Sequence, residues 1–328
     1  MEDDFLKYSH EIEKEARKLA SQMIKELDAA RATIIGKLNT IQDEILKGKE
    51  FDEATITRRK AVLEAQRNEI SKVLLQVSNK QEDKIRATTE ETFASTSKAT
   101  FEIINKALKV NVSFQHLDER YVRAWFGTAT VEGLTVNEWL KKLEQSSVDR
   151  ILKASRQAML QKLSTSGMVK LLREEGFEGS YKSLEGLART VQHSAANFAK
   201  EQTIQEGFGD LLEGWRYIAT LDDRTCLECG QYDGTVFKKN EDRPSVPRHW
   251  RCRCTYSPVF KQVGKYKPSD LGSRPAVTGS DQYERFTGSY QQWMKHMLEK
   301  DPEWVREVLG PKKFDLFKKG KLFLRSMG

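Results

Sequence analysis

The chain has 328 residues, 38% of them apolar and 31% charged, and a net charge of +7. That length accommodates two or three domains, and so polar a composition places much of the chain on solvated helices rather than in one large core. No run approaches the eighteen apolar residues of a membrane span, and the acidic start MEDDFLK is the opposite of a signal peptide's basic and then apolar leader, so a cytosolic protein with reduced thiols is expected.

Residues 1–110 read as a long helical hairpin. Apolar positions at Ile12, Ala16, Leu19, Met23, Leu27, Ala30, Ile34, Leu38, Ile41 and Ile45 recur in steps of four and three, a mean of about 3.67 that keeps one face apolar over many turns. LKGKEFDEAT interrupts the pattern, and a second run follows at Val62, Gln66, Ile70, Val73 and Val77, then more thinly at Ile85, Thr89 and Phe93. Neither narrow stripe is buried alone, which predicts an antiparallel pair. The polar stretch SNKQEDKIRATTEETFASTSKAT weakens the second seam and predicts either fraying or a partner held against it.

Residues 111–210 form a helical middle region. NVSFQHLDERYVRAWFGTATVEG reads as an irregular or partly β connection. Thr135 and Glu138 have capping-box spacing and open a helix to about Leu163. SGMVKLLREEGF reads as a short helix stopped by Gly176. The next helix carries Leu184, Leu187, Val191, Ala195 and Phe198 on one face, with small residues that permit close packing.

Residues 211–328 read as a Cys/His-containing α+β module with a basic helical tail. Trp215, Tyr217, Ile218 and Thr220 suit a strand, as do TVF and CTYSPVF. KYKPSDLGSRPAVTGSDQYERFTG reads as a long surface connection. Ser289, Pro302 and Pro311 then open three closing helices, the last stopped by Gly320. From residue 261 onward there are ten Lys and four Arg against eight acidic residues, so +6 of the net charge sits in the last fifth of the chain. Such a tail faces a polyanion or an acidic surface, or it is simply solvated. The fold class is therefore mainly α with a small α+β module: a helical hairpin, a helical middle, and a zinc-stapled, β-containing C-terminal module with closing helices.

All four cysteines fall within 29 residues, in TCLECGQYDGTVF and PRHWRCRCTYSPVF. Cys226 and Cys229 form a CxxC, and His249, Cys252 and Cys254 follow a 19-residue excursion. Zinc takes four nitrogen or sulfur ligands in a tetrahedron, so one of these five donors is spare. With no position left for water, the site reads as structural, a staple whose binding energy becomes local folding energy. A thioredoxin-like redox pair lacks its βαβ context, and a cysteine nucleophile paired with His249 leaves three thiols unexplained. Inert packed thiols remain an alternative. Asp222, Asp223 and Arg224 suit a capped turn, and Asp233–Gly234 suits a turn before TVF. Arg251 and Arg253 flank Cys252 and either offset thiolate charge or face phosphate.

ATLDDRTCLECGQYDGTVF followed by PRHWRCRCTYSPV resembles the signature of the Mu F-like minor head, or head morphogenesis, proteins of tailed bacteriophages. LARTVQHSAANFAKEQ and the closing SYQQWMKHMLEKDPEWVREVLGPKKFDLFKKGKL are similar to that family's flanking segments, so the likeness runs from about Thr135 to Lys321. HWRC departs from the His-Pro that many relatives carry. The resemblance implies a non-enzymatic virion protein, made in the host cytoplasm and lying inside the head near the portal, where it aids head assembly, DNA packaging or DNA delivery. The implied partners are the portal protein, scaffold or major capsid protein, and packaged double-stranded DNA bound without sequence preference, with no membrane. The alternatives are a zinc-containing nucleic-acid-binding module and a degenerate ADP-ribosyltransferase-like enzyme, for which Arg216 invites comparison.

Overall fold

A computed structural model describes residues 1–46, 53–113, 117–161, 163, 165–264, 266, 271–278 and 282–322. The helices are α1 (Glu2–Leu46), α2 (Glu53–Leu108), α3 (Glu119–Thr128), α4 (Val136–Leu160), α5 (Thr165–Leu171) and α6 (Glu178–Phe208), with a π-helical turn at Leu172–Phe177 joining the last two. Strand β1 (Leu212–Ile218), helix α7 (Leu227–Tyr232), β2 (Val236–Lys238), β3 (Thr255–Phe260), β4 (Ser273–Thr278) and β5 (Gln282–Thr287) follow. Helices α8 (Tyr290–Lys300), α9 (Pro302–Leu309) and α10 (Pro311–Lys318) close the described chain. Two compact units result, one of Met1–Lys14, Glu91–Trp125 and Gln192–Gly328, the other of Glu15–Glu90 and Phe126–Val191. Among the described residues no helix is long and apolar enough to cross a membrane.

The second of these units is helical. Its part of α1 buries Ala16, Leu19, Met23, Leu27, Ala30, Ile34 and Leu38, as the periodicity predicts. The side chains of Ile41, Ile45 and Val62 lie outside the described residues. On α2 the buried line is Gln66, Ile70, Leu74, Val77, Gln81, Ile85 and Thr89, so Leu74 rather than the half-buried Val73 carries the seam. The Gln81 amide donates to the Met23 carbonyl at 3.2 Å, and Lys37 pairs with Glu69, which sets α1 and α2 antiparallel here. At the start of α4 the Thr135 N–H donates to the Glu138 carboxylate at 2.7 Å and the Glu138 N–H to Thr135 Oγ1 at 3.3 Å, closing the expected capping box. Gly176 does not end a helix. It is buried inside the π-helical turn, where its backbone lies against Ile151 of α4 and an added Cβ would stand in van der Waals contact, 3.4 Å from Ile151 Cγ1.

The other unit holds the remaining elements. Its part of α2 takes in the last ten residues, Glu91 to Thr100, of the polar stretch for which fraying or a partner is expected. Instead this part stays helical, with Thr92, Thr96 and Ser97 buried and bonded within the unit. Thr92 donates to Gln192 at 2.6 Å, Thr203 donates to Ser97 at 2.9 Å, and the Tyr8 hydroxyl lies 3.0 Å from Thr96 Oγ1. The expected connection after residue 111 contains α3, which the Asp118 side chain starts by accepting the Arg120 N–H at 2.8 Å. Strands β2, β1 and β3 form an antiparallel sheet in that order, with Trp215 opposite Phe237 and Pro258. The expected surface connection after Lys261 carries a second hairpin, β4 with β5, whose Arg274 is completely buried. Ser289 caps α8 in a full capping box with Gln292, and Asp301 caps α9.

Candidate metal centre

The sheet brings the two cysteine segments together. Ile218 at the end of β1 pairs with Thr255 at the start of β3, so the chain that leaves β1 and the chain that enters β3 arrive side by side. Cys226 caps α7, its sulfur accepting the Cys229 N–H at 3.4 Å, and this turn sets both thiols facing one point. From the other side, the Cys252 N–H donates to the His249 carbonyl at 3.1 Å and Arg251 takes a left-handed backbone, φ 60°, which folds His249 back over the cysteines. His249 Nε2 then lies 3.3 Å from the sulfurs of both Cys226 and Cys229, and the Cys229 and Cys252 sulfurs are 3.9 Å apart. All five expected donors therefore meet in one cluster, as two trios that share Cys229: Cys226, Cys229 and His249, then Cys229, Cys252 and Cys254.

The cluster is set in a hydrophobic core. Cys229, Cys252 and Cys254 are buried with Phe5, Trp215, Tyr217, Tyr256 and Phe260, while Cys226 and His249 are half-buried. The contact with Cys229, with help from His249, holds the Cys226 thiol down at about 4. The neighbouring sulfurs of Cys226 and Cys252 in turn raise His249 to about 11. A close group of thiols and an imidazole is the donor chemistry that a soft, borderline divalent ion such as zinc selects.

The residues around the cluster are scaffold. Asp222 accepts the Arg224 N–H at 3.2 Å, the Thr225 hydroxyl at 3.1 Å and both Arg253 nitrogens, one of them at 2.8 Å. Arg253 is thus spent on Asp222 rather than facing phosphate. Burial opposes ionisation of Asp222, but the Arg253 guanidinium outweighs it and holds the carboxyl below its ordinary value. A carboxylate with a depressed folded pKa contributes stability that is present above its unfolded pKa and lost as pH falls through the folded value. Asp222→Asn is therefore expected to melt below the wild type at pH 7, with the gap narrowing below about pH 4 in pH-resolved thermal scans.

Sequence reasoning missed two contributors. The Tyr217 hydroxyl is buried without a nitrogen or oxygen partner and adjoins the sulfurs of Cys229 and Cys254. Arg274, from the hairpin read as loop, is the buried counter-ion of Asp233. Gly230 follows the CxxC because the Tyr290 ring lies against its backbone, where an added Cβ would sit 2.4 Å from Cδ1. Gly230→Ala is expected to cost roughly 1–3 kcal/mol, read as a lower melting temperature.

The segment that builds this cluster is the one that matches a known family. Residues 122–257 match the family model described as Phage Mu protein F like protein. This is a Mu F-like region. It takes in α4 to α6, β1, α7 and β2, most of α3, the first half of β3 and all five cluster residues. No curated protein and no solved structure matches the chain significantly. Arg216, noted above for the transferase comparison, lies in the Mu F-like region on β1 and donates to the Glu2 carboxylate at 2.8 Å in a buried pair.

Proposed function

We propose that the protein is a minor head protein of a tailed bacteriophage, located inside the head at the portal vertex, where it aids head assembly, DNA packaging or DNA delivery. The Mu F-like match over residues 122–257 carries this reading. The portal protein is its principal partner, with scaffold or major capsid protein and packaged DNA as further contacts. The basic C-terminal segment suits non-specific contact with phosphate, which is salt-dependent.

The role is non-enzymatic. The groove beside the module is lined by Arg216, Asp233, Glu241 and Arg243 among others, and each of these four already has a bonding partner within the protein. Arg216 binds Glu2, Asp233 binds Arg274, Glu241 accepts the Lys238 N–H at 2.8 Å, and Arg243 pairs with Glu201 between the rings of Trp215 and Tyr256. The Cys/His cluster holds a structural zinc ion. Three buried thiols, a fourth thiol and an imidazole in two trios that share Cys229 supply more than a full tetrahedral set, which supports a closed site without a position for reacting water.

Mass spectrometry of purified virions, compared with emptied particles, tests the placement. The protein is expected in DNA-filled heads at a small fraction of the major capsid protein. Its absence from assembled heads would contradict the proposal.

A further inference from the structure

Resting on the zinc reading above, we propose that the ion is held by Cys226, Cys229, Cys252 and His249 Nε2, and that Cys254 is an uncoordinated thiol beside the site, next to the Tyr217 hydroxyl. In a tetrahedron with metal–sulfur bonds of about 2.3 Å and metal–nitrogen bonds of about 2.0–2.1 Å, neighbouring donor atoms stand about 3.5–3.8 Å apart. The two Cys–His contacts at 3.3 Å and the Cys229–Cys252 contact at 3.9 Å are already close to such edges. The sulfurs that adjoin the imidazole are those of Cys226, Cys229 and Cys252.

His249 is also oriented as a ligand. Its Nδ1 lies 2.8 Å from the Trp250 carbonyl, which accepts that N–H and leaves the Nε2 lone pair directed at the sulfurs. A ligating histidine commonly donates its second nitrogen to a backbone carbonyl in this way. Cys252 and Cys254 share with Cys229 the trio away from Cys226, and of the two it is Cys252 that adjoins the imidazole. Cys254 is buried at the foot of β3, where the Tyr217 hydroxyl, buried and otherwise unpartnered, adjoins it.

Zinc-edge X-ray absorption on the full chain, purified in reducing buffer without chelator, reads the ligand set directly. Three sulfurs and one nitrogen are expected, and a shell of four sulfurs overturns the assignment. Cys254→Ser is expected to keep zinc at the wild-type stoichiometry. His249→Ala is expected to weaken zinc, in competition with a chromophoric chelator, by more than the about 10–100-fold that loss of an outer-shell partner costs. Loss of zinc from Cys254→Ser with retention in His249→Ala overturns the proposal. A wild-type protein that binds no zinc overturns instead the metal reading on which it rests.

Discussion

Asp233→Ala is expected to destabilise the protein by about 3–5 kcal/mol, the cost of removing one partner from a buried ion pair and leaving the other charge unpaired. Asp233 and Arg274 are both completely shielded from water, and their contact is bidentate, with one N–O distance of 2.9 Å. The carboxylate also accepts the Ala219 N–H at 2.8 Å and the Tyr290 N–H at 2.6 Å, so it ties the end of β1 to the start of α8. Arg274 in turn donates to the carbonyls of Ala219 at 3.2 Å and Gly288 at 3.0 Å. One substitution therefore strands a guanidinium and two backbone amides in the core. Urea unfolding followed by tryptophan fluorescence reads the change, since Trp215 and Trp293 are buried in this unit. A midpoint unchanged from wild type would contradict the reading.

Stripping zinc from the Cys/His cluster is expected to have the other large effect. Structural zinc sites contribute about 10–16 kcal/mol of apparent binding energy, comparable with the about 5–15 kcal/mol that stabilises a whole domain. Here the donors are packed into the same core as Phe5, Trp215, Tyr217, Tyr256 and Phe260, so thiolates that lose their ion repel one another inside it until they take up protons. Chelator treatment is expected to lower the melting temperature and abolish the near-ultraviolet circular dichroism of the aromatic core, and added zinc is expected to restore both. Identical melting with and without chelator, on protein shown to contain zinc beforehand, would remove the staple from the account.

Local signals carried much of the architecture. The four-and-three spacing of α1, the Thr135–Glu138 box, the cap at Ser289, the helix starts at Pro302 and Pro311 and the strand character of Trp215 to Ile218 all depend on neighbours in sequence, and all are present. The Cys/His cluster was legible because cysteine is rare in the chain and the spacing is compact. What local patterns did not show depends on contacts far along the chain. The threonines and serines of distal α2 look like a weak seam until Gln192, Thr203 and Tyr8 arrive to bond them. Gly176 looks like a helix stop until Ile151 packs against it. Arg274 sits in a Gly/Pro-rich stretch that resembles a loop, and its burial follows only from Asp233, 41 residues earlier. The assignment of α1, α2 and α6 to two units likewise follows from tertiary packing and not from any break in their periodicity.

Co-expression with the portal protein of the same phage, followed by affinity purification at low and at high salt, tests the central claim most directly. Salt screens contacts between exposed charges, so it removes association carried by the basic tail alone. A head protein docked at the portal is expected to co-purify and to survive the high-salt wash. Absence of the protein from the portal fraction at both salt concentrations would contradict the account.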